Sequence, residues 1–108
     1  MKSIINGVRY DTDKATLLGE ANNAGGDISR RDFRFWEAAL YVTPRSGRYF
    51  LAGTGGPMSR FARSTGASEW SGGSGIQPMT RDEAFAFAQD ALQTDVVEEH
   101  FGDMIEDA

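Results

Sequence analysis

Cysteine is absent from the 108 residues. Disulfides, thiolate metal sites and cysteine nucleophiles are therefore excluded, and the absence suits a reducing compartment. Histidine occurs once, at His100. A metal site needs several nitrogen, sulfur or carboxylate ligands at set spacings. With only Glu99 and Asp103 for company, His100 reads as a surface residue. No apolar run approaches the roughly 20 residues of a membrane helix. The first residues, MKSIINGVRY, lack the long apolar core of a signal peptide. A cytoplasmic protein without a membrane partner is expected.

Phosphate-loop glycines are also incomplete. The stretch FLAGTGGPMSRFA looks like a cradle, but a Walker A loop counted from Gly53 would need glycine and lysine where Met58 and Ser59 stand. Met58 also occupies the third glycine position of a dinucleotide fingerprint, which belongs to a parallel βαβ unit. A generic anion nest with Arg60 nearby is left as one reading of this turn; a structural corner is the other. No serine lies in a Gly-x-Ser-x-Gly elbow, and the acids cluster on a helix instead of converging from strands. No catalytic residue, cofactor or metal is therefore assigned, and a non-enzymatic protein is expected.

What is present points to one domain of residues 1–108. A chain of this size buries roughly 65% of its unfolded surface, enough for one modest core. Asn6-Gly7 favours a tight hairpin between strands near 2–5 and 8–11. Residues 15–20 read as a strand or as a short helix capped by Asp11 or Asp13, with the Thr and Leu content favouring strand. Residues 22–32 are a polar, Gly-rich loop. In FWEAALYVTPRSGRYFLAG, Trp36, Ala38, Leu40 and Val42 alternate with Glu37, Ala39 and Tyr41, the period of a strand with one buried face. A hairpin of about 35–43 with 48–53 follows, turned by Pro44 and Gly47. Pro57 suits the first turn of a short helix, PMSRFAR. Residues 64–75 read as a loop carrying Trp70, and IQPM as an edge strand or extended link.

The strongest helical signal is TRDEAFAFAQDALQ. Thr80 with Glu83 forms a capping-box pattern, and Ala84, Phe85, Phe87, Ala88, Ala91 and Leu92 share one wide face over about 81–93. A second helix starts near Asp95, with Val97, Phe101, Met104 and Ile105 at helical spacing and Gly102 interrupting it. The fold class expected is α+β: an antiparallel sheet of about four to five strands, including two hairpins, covered by C-terminal helices.

Charge is unevenly placed. Residues 1–79 hold ten Lys/Arg and seven Asp/Glu, net +3, whereas residues 80–108 hold one Arg and nine acids, net −8. Such asymmetry bears on partners more than on fold. Asp90, Asp95, Glu98, Glu99 and Asp103 are candidate contacts to a basic groove on a protein partner, in competition with nucleic acid. A second candidate is SRRDFRFW. Arg30, Arg31 and Arg34 would track phosphates while Trp36 and its neighbours stack on bases.

The segments IINGVRYDTDKAT, LYVTPRSGRYFLAGTGGPMSR, WSGG and IQPMTRDEA together resemble a family of small acidic proteins of bacterial phages, plasmids and integrated elements. The matching pieces cover most of the chain outside residues 20–39. In this sequence the middle loop is longer and more basic, and the C-terminal end more acidic. The resemblance implies a mobile-element accessory protein with no catalytic residues. It implies an anti-CRISPR-like function, binding and inhibiting a host nucleic-acid-binding defence complex in the bacterial cytoplasm.

Overall fold

The computed structural model describes residues 1–66 and 69–108. Strands β1 (Lys2–Ile5) and β2 (Val8–Asp11) pair antiparallel, with Ile5 opposite Val8. Asn6 and Gly7 have φ of 50° and 77°, the left-handed pair that a type I′ turn requires. The Asp11 carboxylate accepts from the Asp13 N–H at 3.0 Å and caps one 3-10 turn over Thr12–Lys14. β3 (Thr16–Asn22) begins at once after it. Both readings of this stretch thus hold in part, because the Asp-capped turn is too short to consume the Thr/Leu strand.

β3, β4 (Trp36–Val42), β5 (Tyr49–Gly55) and the last strand, β8 (Gly73–Met79), form one antiparallel sheet in the order β3-β4-β5-β8. Alternation along β4 sorts its side chains. Ala38 and Leu40, with half-buried Trp36 and Val42, join the main core, while Tyr41 joins a second core on the opposite face. Opposite them in register stand Leu51 against Leu40 and Phe50 against Tyr41. A register shift between Leu17 and Gly19 lets Leu18 enter the main core.

Helix α1 (Arg81–Ala91) and helix α2 (Thr94–Phe101) cover the main-core face through Ala84, Phe87, Ala88, Val97 and Phe101. A 3-10 turn over Gly102–Met104 follows. The β1–β2 hairpin packs on the other face. Tyr10 meets Phe50 edge-on at 5.4 Å between ring centroids, and Tyr41 stacks on Phe50 at 5.3 Å. The sheet is therefore the middle of three layers. Phe50, Phe101, Leu40 and Leu51 are fully buried, each contributing about 1.5–3 kcal/mol by removal from water. The α+β class, the central hairpin and the two C-terminal helices agree with the sequence reading.

Two local expectations are corrected. No helix starts at Pro57. The Gly56 and Met58 N–H groups donate to the Phe35 and Phe33 carbonyls at 2.9 and 2.8 Å, and two successive turns close from Ser59 to Gly56 and from Ala62 to Ser59. Backbone pairing with the 33–35 segment takes the donors and outweighs the local preference of Pro57. Residues 64–75 are not a plain loop either. β6 (Arg63–Gly66) pairs with β7 (Glu69–Ser71), and β8 already begins at Gly73, not at Ile76. Pro78 sits on this edge strand, where a missing N–H is tolerated.

Candidate functional site

The capping box fixes where the acidic segment starts. Thr80 Oγ1 accepts from the Glu83 N–H at 3.1 Å, and Glu83 Oε1 accepts from the Thr80 N–H at 2.9 Å. Hydrogen bonding from the Thr80 backbone N–H, and secondarily from its side chain, holds the Glu83 carboxyl below its ordinary pKa. Asp82 and Glu83 also lie at the positive end of the α1 dipole. Helix α2 has no side-chain cap at Gln93, and Asp95 occupies its first turn. Apolar residues fix both helices to the sheet, so their acids point outward from a rigid support.

Asp90, Asp95, Glu98, Glu99 and Asp103 are all exposed, but they are not equivalent. Arg81 NH2 donates to Asp103 Oδ1 at 2.6 Å and NH1 donates to Oδ2 at 2.9 Å. This two-pronged pair ties the chain after α2 back to the start of α1. The Arg81 guanidinium holds the Asp103 carboxyl below its usual range. Asp103 is thus a clasp within the layer. Among the described residues no Lys or Arg lies within ion-pair distance of Asp90, Asp95, Glu98 or Glu99; only His100 approaches Glu99, at 3.8 Å.

The basic stretch is arranged differently. Arg30 pairs with Glu37 at 3.2 Å and lies over the Phe35 ring, 5.3 Å from its centroid. Two Arg34 nitrogens donate to Asp32 at 2.9 and 2.8 Å, and Asp27 stands 3.5 Å away. Side-chain hydrogen bonding from Arg34 pulls the Asp32 carboxyl down to about 2. Trp36 is half-buried, its ring 5.9 Å from Phe87. The Arg60 guanidinium covers it at 5.2 Å and also lies 5.3 Å from Phe87. Burial against these rings lowers the Arg60 pKa. Of the four residues read from the sequence, Arg31 alone is both exposed and without an acidic partner among the described residues.

Phe33, from that stretch, and two residues outside it, Met58 and Trp70, are large and exposed. Phe33, Met58 and Trp70 are 64%, 67% and 60% exposed. The Met58 N–H donates to the Phe33 carbonyl, and Gly72, which follows β7, packs against the Gly55 carbonyl and Gly56. Neither periodicity nor a contiguous motif marks this grouping, since three separate loops supply it. The turn after β5 has little room and few free donors. A Cβ at Gly56 would lie 2.9 Å from the Phe33 carbonyl carbon. The amides of Gly56, Met58 and Ser59 already donate to carbonyls, so no row of N–H groups faces an anion here.

Among the described residues no helix is long and apolar enough to cross a membrane, and no group of three or more His, Cys, Asp or Glu is placed to hold a metal ion. No protein-family model, curated protein or solved structure matches the chain.

Proposed function

We propose that this chain is a non-catalytic binding protein that presents its acidic helical layer to a basic, nucleic-acid-binding surface of another protein. One observation carries the reading: Asp90, Asp95, Glu98 and Glu99 stand exposed and unpaired with Lys or Arg among the described residues, on helices fixed to the sheet. Carboxylates on a rigid support compete with phosphates for the same cations, and complementary fields raise the on-rate and orient the encounter. The resemblance of the sequence segments to mobile-element accessory proteins supports a host defence complex as that partner, with inhibition following from displacement of its nucleic acid.

The test is displacement of labelled target DNA from a panel of guide-loaded CRISPR effector complexes. Wild-type protein is expected to release DNA from at least one of them, with a steep dependence on salt. A variant carrying Asp90→Lys, Asp95→Lys, Glu98→Lys and Glu99→Lys should not. Equal displacement by this variant refutes the mechanism; no displacement from any complex refutes the choice of partner.

A second reading rests on exposed Phe33, Met58 and Trp70, with Arg31 two positions before Phe33 in the chain. It makes the chain a small nucleic-acid-binding regulator that stacks bases on those rings. Binding of single-stranded DNA or RNA that weakens linearly in log salt would support it. Absence of retention at low salt removes it.

A further inference from the structure

We infer that the groove between α1, α2 and the segment after α2 is a docking site for a basic amphipathic segment of the partner, presented as a helix. This inference rests on the acidic-layer reading and names the contact within it. The groove encloses about 700 Å³. Phe85 and Leu92 line one side, Val97 from α2 lies between, and Met104 with Ile105 closes the other. Phe85, Gln89 and Leu92 follow one another at helical spacing, so α1 and the residue after it contribute a continuous stripe. Ile105 is 40% exposed, although an isoleucine gains by leaving water.

The rim is acidic. Glu98, Asp103 and Glu106 all line the groove, and no Lys, Arg or His does. Arg81 offsets only Asp103. Apolar floor and anionic edge together define the complementary ligand. Its apolar residues recur at i, i+3, i+4 and i+7, and its flanks carry lysine or arginine. Helices bound in grooves are read through such anchors. The floor would supply binding energy through a few buried side chains, and the rim would select against acidic or neutral segments.

The probe is a fluorescent 14-residue peptide of leucine and lysine, with leucines at those spacings and lysines elsewhere. Two controls keep the length: one replaces every lysine by glutamate, the other every leucine by serine. The leucine–lysine peptide is expected to bind and to shift the amide resonances of Leu92, Val97, Met104 and Ile105. Ile105→Asp should weaken it by roughly tenfold or more, as loss of a central anchor does. Met104→Gln, a milder change, should weaken it in the same direction. Asp13→Lys, in the turn after β2 and outside both the groove and the acidic layer, should change affinity by less than about twofold. Equal binding of the glutamate peptide overturns the inference. So does an Ile105→Asp variant that keeps its thermal unfolding midpoint and binds like wild type. If the serine–lysine peptide binds as well as the leucine–lysine peptide, the groove fails as the site while the acidic-layer reading survives. If no peptide binds but DNA displacement persists, the outcome is the same.

Discussion

Replacing Phe101 by alanine should detach α2 while leaving the sheet folded. Phe101 is fully buried and packs 5.6 Å from both the Tyr49 and Phe85 rings. It bridges the sheet and α1 at the end of α2. Truncating a buried phenylalanine costs about 3–5 kcal/mol. Where that loss appears depends on what else holds the element. Helix α2 spans 8 residues and lacks a side-chain cap, and isolated helices shorter than ~12–15 residues are marginal in water. Its other buried residue is Val97. By contrast, the sheet retains Leu40 and Leu51 on one face and Phe50 on the other. The loss should therefore surface as local opening.

Amide exchange measured by NMR reads this directly. Protection of the Val97–Phe101 amides is expected to fall by roughly two to four orders of magnitude, the equivalent of the lost packing energy. Amides of Leu40 and Leu51 should remain more protected than those of α2. The Arg81–Asp103 pair should be lost with the helix, because Asp103 follows α2 directly. Phe101→Leu, which keeps most of the apolar volume, should restore much of the protection. If α2 and sheet amides lose protection together, α2 is not a separate unit. If α2 protection falls by less than about tenfold, Phe101 is not its anchor.

Two further outcomes follow from close approaches elsewhere. Gly53→Ala should destabilise the domain by about 1–3 kcal/mol, because the new Cβ would meet the Glu37 carbonyl and lie 2.8 Å from Ala38 Cα; a denaturation midpoint equal to wild type would show that β4 and β5 can part to admit a methyl group. Asp32 should titrate with a midpoint near 2 in the folded protein, against its ordinary 3.8. The folded pKa is depressed, so the favourable contribution is present above 3.8 and lost as pH falls from there through about 2. Arg34→Gln should return the midpoint to the ordinary range, as followed by carboxyl carbon shifts; a native midpoint near 3.8 would refute the pairing.

The legible parts of the fold are those fixed by short-range patterns. β4 shows because Ala38 and Leu40, with Trp36 and Val42, enter the main core at every second position, while the other face is more loosely covered, with Tyr41 half-buried. The α1 cap shows because Thr80 and Glu83 act on each other across three positions. The failures have one physical source, pairing between distant segments. Pro57 favours a helix locally, but the amides on either side of it, those of Gly56 and Met58, are captured by the carbonyls of Phe35 and Phe33. β6 and β7 consist largely of exposed small or polar residues, so no apolar alternation announces them. Trp36 illustrates the same limit at the candidate site. As a string, RRDFRFW reads as bases flanked by rings, whereas in the fold Arg60 covers the Trp36 ring and Glu37 and Asp32 neutralise two of the arginines.

That neutralisation decides which surface dominates the field of the molecule. Arg30, Arg34 and their acids form close pairs that look weakly charged from a distance. In the helical layer the only Lys or Arg after residue 80 is Arg81, and Asp103 occupies it. The other acids there have nothing comparable among the described residues. A charge imbalance written along the chain thus becomes an imbalance in space, because α1 and α2 lie together over one sheet face. An approaching basic surface is drawn towards that layer before any specific contact forms, and salt weakens this attraction within about 10 Å at 0.1 M. Electrostatics alone would leave the partner's register on the layer poorly defined. On the proposed reading, the apolar groove at the edge of the same layer would supply what charge lacks, a short-range contact that fixes position and slows release.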